Sequence, residues 1–353
     1  MDKQGGDIMG KIFGQTQDGQ EAFLYEICNS NGMEIVLTDF GAAVVRLLVP
    51  DKHGVKRDVV LGYDTLREYE KFWQGCFGAI VGRNCNRIAG AKMEIDGVTY
   101  TLDPNDHGNT LHSGFDGWNK RIWEVREHRK DSVTFTLTSE HLDQGFPANL
   151  TVDVTYQVTE DNTMRISYHG VPDRKTVINM TNHCYFNLNG QESGDVLGQE
   201  LMICASHYTP LQKWGIPSGE IAAVEGTPFD FRTAKLIGRD IHSKDPQVAA
   251  CDGYDHNFAL DKTKEGQELA AAAYAEESGI HMEVYTDCPG LQLYTANGLK
   301  GAKGKNGVTY PNYGAFCLEA QYFPNAINEP NFASPLVDAG ETYESSTSYR
   351  FFV

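Results

Sequence analysis

The sequence predicts an all-β protein built as one large domain, and three observations predict it. Apolar residues recur with a period of two through most of the chain, the pattern of half-buried antiparallel strands. Gly, Pro, Asn and Asp punctuate these runs at short intervals, as turns between strands do. Runs with a helical period are scarce, and no composition shift, repeat or low-complexity stretch divides the 353 residues. A chain of that length buries a large core, and β-sandwiches outgrow the usual domain size. One domain over 1–353 is therefore expected, with 1–13 as a loosely ordered N-terminal extension.

The elements follow in order. Residues 33–40 read as a strand, and 43–49 as the next one beyond Gly41, closed by Pro50 and Gly54. Residues 63–72 offer one or two helical turns. Residues 93–95 and 98–102 flank Asp96-Gly97, a strong short hairpin signal. Residues 122–126, 133–138, 150–158 and 164–168 alternate as strands. Residues 268–276 are alanine-rich and favour helix by propensity. They nevertheless face 280–285 across Glu277-Ser278-Gly279 in the manner of a hairpin, so a strand is expected there. Residues 281–286, 291–295 and 349–353 complete the pattern.

Charge narrows the function. Thirty basic against 48 acidic residues give a net charge of -18, which excludes a nucleic-acid surface, since phosphate binding needs clustered Lys and Arg. A neutral small molecule suits this balance better than an anion. The eight cysteines contain no Cys-x-x-Cys pair, and those within apolar runs, Cys204 and Cys317, read as small hydrophobes. The N-terminus carries no apolar signal region, and no stretch approaches the roughly 20 apolar residues of a membrane span. Reduced thiols in the cytoplasm are the expectation.

The chemistry concentrates in a few segments. Glu319 lies in the apolar run 315–323, which Pro324 and Asn325 terminate. A carboxylate in a buried strand is costly to desolvate unless it has partners or a task. Segments 178–188 and 109–114 have the same grammar and carry His183 and His112. One carboxylate and two imidazoles suffice for paired proton transfer. Between Gly82 and Gly90, Arg83 and Arg87 surround Asn86. Arg offers a rigid donor fork for hydroxyls or carboxylates, although alone the segment reads as a surface loop. Tyr185 and Asn187 beside His183 suit a sugar site, and a satisfied core histidine suits the same string. Asp255 precedes an apolar strand and alone reads as a turn residue. Gln292 becomes an inward-facing amide if Leu291 and Leu293 face the core.

Other chemistries fit poorly. His107, His112, His183 and His256 form no helical i, i+4 pair, so no metal centre is expected. The stretch 300–307 lacks the phosphate-loop spacing and reads as a flexible loop. Cys184 and His183 are strand neighbours that point to opposite faces, which makes Cys184 structural rather than a nucleophile. No Gly-x-Ser-x-Gly elbow occurs.

Taken in order, these motifs resemble the aldose 1-epimerase (galactose mutarotase) family. They are Asn86-Arg87-Ile88, Asn109-Thr110-Leu111-His112, Asn182 to Leu188, Ile216-Pro217-Ser218-Gly219-Glu220, Thr227-Pro228-Phe229-Asp230-Phe231, Asp255-His256-Asn257-Phe258, and Glu319-Ala320-Gln321 with Pro324-Asn325. The resemblance runs from about Gly14 to the C-terminus. It implies a large antiparallel β-sandwich of the mutarotase supersandwich type, with few short helices. It implies His183 as general acid and Glu319 as general base, with Asn86, Arg87, His112, Tyr185, Asp255 and Gln292 as sugar ligands. The implied substrates are free aldohexoses such as galactose and glucose, with no cofactor and no metal, in a monomer or weak dimer. Three positions depart from the family pattern: Gly198 where a His is frequent, Trp214 in place of a more polar residue, and Cys184 where Ser is frequent.

Interconverting α and β anomers requires one proton delivered to the ring oxygen and one removed from the C1 hydroxyl. A His183 imidazolium and a Glu319 carboxylate are the form that does both, and their attraction is expected to widen the active pH range. Each such group contributes about 10²–10⁴-fold. Three other functions compete. A glycoside hydrolase would use Asp255 and Glu319 as flanking carboxylates, a sugar-binding module would need no proton-transfer pair, and a hexose-phosphate epimerase would need more Lys and Arg.

Overall fold

Residues 150–158 alternate buried and part-exposed side chains along their length, and the strand Leu150–Val158 lies inside a nine-stranded antiparallel sheet. The computed structural model describes residues 10–72, 75–299 and 301–353. The nine strands run in the order Glu124–His128, Ser132–Ser139, Leu150–Val158, Thr163–Pro172, Tyr343–Phe352, His281–Thr286, Glu268–Tyr274, Glu200–Ile203 and Lys235–Leu236. A five-stranded sheet covers the N-terminal part (Lys11–Gln15, Glu21–Cys28, Glu34–Thr38, Ala43–Pro50, Lys56–Asp58). A second five-stranded sheet joins Ala222–Ala223, His207–Tyr208, Asp255–Ala259, Gly290–Tyr294 and Cys317–Gln321.

The main core draws on all three sheets: Val154, Ile166 and Tyr349 from the first, Ile35 and Leu47 from the second, Leu291 and Leu318 from the third. Tyr349 donates its hydroxyl to the Leu318 carbonyl at 3.0 Å, and Tyr156 to the Ala42 carbonyl at 2.8 Å. Two buried phenols thus tie the large sheet to segments beyond it, each finding the partner its hydroxyl requires. The antiparallel sheets are those expected from the alternation, and their packing is the sandwich that the family resemblance implies.

The ambiguous alanine-rich segment is a strand. Glu268–Tyr274 pairs with Glu200–Ile203 on one side and His281–Thr286 on the other, so pairing on two edges overrides helix propensity. The strands Lys92–Ile95 and Val98–Thr101 close on Asp96 and Gly97 at φ 51° and 79°, the left-handed pair that a tight hairpin turn demands. Among the described residues α-helix is limited to Leu66–Lys71, where helical turns were expected, and Pro246–Cys251, where Asp245 caps the Gln247 amide, with a few single 3-10 turns besides. Among the described residues no helix is long and apolar enough to cross a membrane.

Two expectations need correction. Residues 1–9 of the expected N-terminal extension lie outside the described residues, but Lys11–Gln15 is a strand paired with Glu21–Cys28, so 11–13 are not loose. The stretch at 300–307 is not a loose loop either: Lys300 lies outside the described residues, and Lys305 is fully buried. Its ammonium donates to the Val45 and Val60 carbonyls at 2.8 and 2.7 Å and pairs with Asp58 at 2.7 Å. A buried ammonium needs such partners, and they pin the loop.

Candidate active site

The third sheet turns one face to the core and the other to a cavity. Its register aligns Asn257 with Gln292 and Gln292 with Glu319, and likewise Asp255 with Tyr294 and Tyr294 with Cys317. Because side chains alternate across a strand, Phe258, Leu291, Leu293 and Leu318 enter the core while Asp255, Gln292, Tyr294 and Glu319 share the opposite face. Both leucines flanking Gln292 are core residues, and Gln292 faces away from them.

His183 follows the short strand Thr181–Asn182. Its amide donates to the Ala79 carbonyl and its carbonyl accepts from the Gly78 amide, both at 2.9 Å. The backbone is thus clamped on both sides of the imidazole. Cys184 points the other way into the main core, as alternation requires. His112 comes straight after Thr110–Leu111, a strand paired with Arg87–Ile88. The Asn86 amide donates to His112 Nδ1 at 3.1 Å, and the His112 amide donates to the Asn86 carbonyl at 3.1 Å. A neutral ring whose Nδ1 accepts carries its proton on Nε2. His112 is therefore held as a donor.

These segments meet in one place. His183 Nε2 stands 3.6 Å from Glu319 Oε2. The His112 ring lies edge-on to His183 at 5.5 Å, and Tyr185 stacks on His183 at 4.9 Å. They line a cavity of about 190 Å³ whose other walls are Asn86, Arg87, Leu111, Asp255 and Tyr294. Of the site residues expected from sequence, only Gln292 is not on that wall. It stands behind, its amide donating to Asp255 Oδ1 at 2.7 Å. The volume lies below the roughly 300–1,000 Å³ of drug-sized sites, so it suits a single small ring. An outer chamber of about 560 Å³ shares Arg87, Asp255 and Tyr294 with it and adds Asp106, His107 and Trp214. Larger open depressions of about 880 and 690 Å³ lie elsewhere, but neither brings an imidazole and a carboxylate together in a buried setting.

Arg83 and Arg87 look alike in sequence and part company here. Arg83 is 1% exposed and donates to the Pro147, Ser139 and Ala148 carbonyls and the Ser139 hydroxyl. It is a buried tie between loops, not a surface or sugar-site arginine. Arg87 reaches the cavity, with Nε 2.8 Å from Asp106 and Nη1 4.0 Å from Asp255. Tyr294 and Asp106 escaped the sequence reading. Alternation from Gln292 places Tyr294 on the same face and could have found it; Asp106 left no signal except its place beside a His-Gly turn. Trp214 sits on the rim at φ 65° and stacks on His107 at 4.0 Å, while Gly198 lines neither chamber.

Burial dominates the electrostatics. It pushes the Glu319 carboxyl well above the usual carboxylate range, Asp255 adding to the rise and Arg87 opposing it. It pulls His183 down to about 4, and lowers His112 as well, with His183 and Arg87 contributing. With Glu319 and His183 only 2% and 5% exposed, desolvation favours the neutral form of each, the opposite direction to the mutual attraction expected to favour both charged forms.

His112, His183 and Glu319 bring potential ligand atoms within 4.8 Å of one another. A metal-bound histidine offers a lone pair and donates its other ring N–H to an acceptor. His112 does the reverse, receiving the Asn86 amide at Nδ1 and presenting N–H to the cavity. The trio is built for hydrogen bonding to oxygen rather than for a cation.

The model of the family described as aldose 1-epimerase matches residues 24–350. The chain belongs to the aldose 1-epimerase family. It is 37% identical to the aldose 1-epimerase of Escherichia coli K12 over 337 residues, covering 95% of this chain and 96% of that one. It is also 37% identical to human galactose mutarotase over 343 residues, covering 97% and 98%. Among solved structures, a GalM/aldose epimerase homologue from C. elegans superposes with a TM-score of 0.86 at 31% identity, covering 94% of this chain and 99% of that one. Like the rest of the aldose 1-epimerase family, the chain is an isomerase that interconverts the α and β anomers of an aldose.

Proposed function

We propose that His183 and Glu319 are the proton-transfer pair of this isomerase, and that its substrates are free aldohexoses such as galactose and glucose. The observation that carries the reading is the 3.6 Å approach of His183 Nε2 to Glu319 Oε2 inside a cavity sized for one ring. At that separation the two groups are neighbours without being bonded to each other, and both face the space a sugar would fill. Glu319 takes the proton from the C1 hydroxyl while His183 delivers one to the ring oxygen. The hemiacetal opens, the aldehyde turns about C1–C2, and the transfers run backward to close the other anomer.

A pair that burial biases toward its neutral form fits this cycle. Glu319 protonated with His183 neutral, and Glu319 ionised with His183 protonated, hold the same single proton. Hydroxyls arriving at the buried carboxylate supply the hydrogen bonds that burial withholds and favour the charged form. Asn86, Arg87, His112, Tyr185 and Asp255 hold the remaining hydroxyls, with Gln292 aiming Asp255, so the open chain stays in place for closure. Asp255 is already engaged by Gln292 and Arg87, the position of a binder rather than of the second carboxylate a hydrolase needs.

The cavity wall runs from Asn86 to Glu319 in sequence, which supports the proposal that the whole chain works as one catalytic domain; a monomer or weak dimer is proposed with it. Eight free thiols suit the reducing conditions of the cytoplasm. Polarimetry of freshly dissolved α-galactose and α-glucose tests the reading. Both traces should relax faster with protein present, and identical traces with and without it for both sugars would end the proposal.

A further inference from the structure

Arg87 is aimed by a partner that does not line the sugar cavity. Its Nε meets Asp106 Oδ2 at 2.8 Å, a charge-assisted bond well within the usual range, whereas Asp255 stays 4.0 Å from Nη1. Asp106 lines the outer chamber and is absent from the inner wall. It is itself fixed: the Asp106 and Asn109 backbones exchange hydrogen bonds at 3.0 and 2.8 Å around His107 and Gly108, whose φ values are 50° and 86°. That is the left-handed pair of a tight two-residue turn. The turn leads straight into Thr110–Leu111, whose Leu111 pairs with Arg87 itself.

A second element closes on the same turn. Trp214 lies nearly parallel on the His107 ring, 15° between planes at 4.0 Å. The next residue, Gly215, packs against the guanidinium so closely that a Cβ there would fall 2.8 Å from Arg87 Cζ. Asp106 thus bonds one edge of Arg87 while the Trp214–Gly215 loop covers it, and the His107–Trp214 stack joins the two.

We propose that Asp106 is a positioning residue for the epimerase reaction, aiming Arg87 at the sugar, and that the Trp214–His107 stack holds the Asp106 turn in place. This rests on the reading of Arg87 as a sugar ligand. It gives Trp214, a departure from the family pattern, a task on the rim: substrate affinity is set through Arg87, without contact between the indole and the sugar. An Asp106→Asn substitution keeps the shape of the turn but replaces the carboxylate with an amide that bonds the guanidinium more weakly.

The test is a double-mutant cycle read by polarimetric kcat and KM on α-galactose, with thermal melting as a check on folding. Asp106→Asn should raise KM at least about fivefold, a change near 1 kcal/mol, with kcat falling less. In the Arg87→Ala background the same substitution should cost nothing further, because there is no longer an arginine to aim. Trp214→Ala should raise KM in the same direction and Trp214→Phe should restore it, since a phenyl ring also stacks on His107. If Arg87→Ala costs tenfold or more while Asp106→Asn costs less than twofold, the positioning role is wrong and the sugar site stands. If Asp106→Asn costs the same in both backgrounds, Asp106 acts on the fold and not through Arg87. If Arg87→Ala is itself neutral, the sugar-site reading fails first.

Discussion

Replacing Glu319 with Gln should stabilise the fold, by an amount that grows with pH. Glu319 is 2% exposed, its Oε2 has no hydrogen-bond partner among the described residues, and burial raises its carboxyl well above the usual value of 4.5. A carboxyl raised in the folded state binds its proton more tightly folded than unfolded. Its stabilising effect is therefore complete below 4.5 and is lost as pH rises toward the folded value. The slope is at most about 1.4 kcal/mol per pH unit. His183 runs the other way. Its ring falls from 6.5 to about 4 on burial, so the unfolded chain takes up the proton first and stability is lost as pH falls below 6.5. Over that window the loss amounts to about 3 kcal/mol. The assay is urea unfolding of wild type, Glu319→Gln and His183→Asn at pH 4, 5, 6.5 and 8. Differences from wild type cancel every other titrating group. Glu319→Gln should gain on wild type from pH 5 to 8, and His183→Asn should gain from pH 6.5 down to 4. Differences that stay flat with pH for both variants would show that the pair is not desolvated, and the electrostatic argument would fall.

Three further outcomes follow from the same geometry. The pH–rate profile should be bell-shaped, with the acid limb where the pair takes a second proton and the alkaline limb where it loses its only one; these limbs belong to the pair rather than to either residue. A rate still rising at the alkaline end, where the single proton is gone, would contradict it. Asp255→Ala should raise KM and lower kcat together, since a misplaced ring loses orientation as well as contact. Polarimetric losses below about threefold, near 0.6 kcal/mol, would make Asp255 a loop residue only. Cys184→Ser should keep most of its turnover, because the thiol lies in the core facing away from the cavity and burial pushes its pKa upward. An inactive but folded Cys184→Ser protein would bring back a nucleophile.

Much of this was legible in the sequence, and the limits have physical causes. Period-two patterning located the long strands, because a buried face and a solvated face leave opposite marks on alternate residues. The Glu268–Tyr274 strand was readable only from its hairpin partner, since alanine propensity pointed to helix. Glu319 announced itself as a charge inside an apolar run. The convergence of residues 86, 112, 183, 255 and 319 on one cavity, by contrast, depends on sheet register across distant segments, and no local spacing encodes it. Arg83 and Arg87 sit four positions apart in one segment, and only packing shows that the first ties carbonyls together while the second faces the cavity. Sequence shows which charges exist but not how deeply they are buried, and at His183 and Glu319 burial is the largest cause of the shift, upward for the carboxyl and downward for the imidazole.

The most direct measurement of the central claim is the polarimetric turnover of Glu319→Gln, His183→Asn and the double variant on α-galactose, each shown to be folded. Glu319→Gln keeps the shape of the side chain and removes the base; His183→Asn removes the acid. Each should lose at least about 10²-fold, and the double variant should lose far less than the product of the two, because the groups act as a unit. Near-normal turnover in Glu319→Gln would contradict the account outright, and fully additive losses would mean that the two residues serve separate steps.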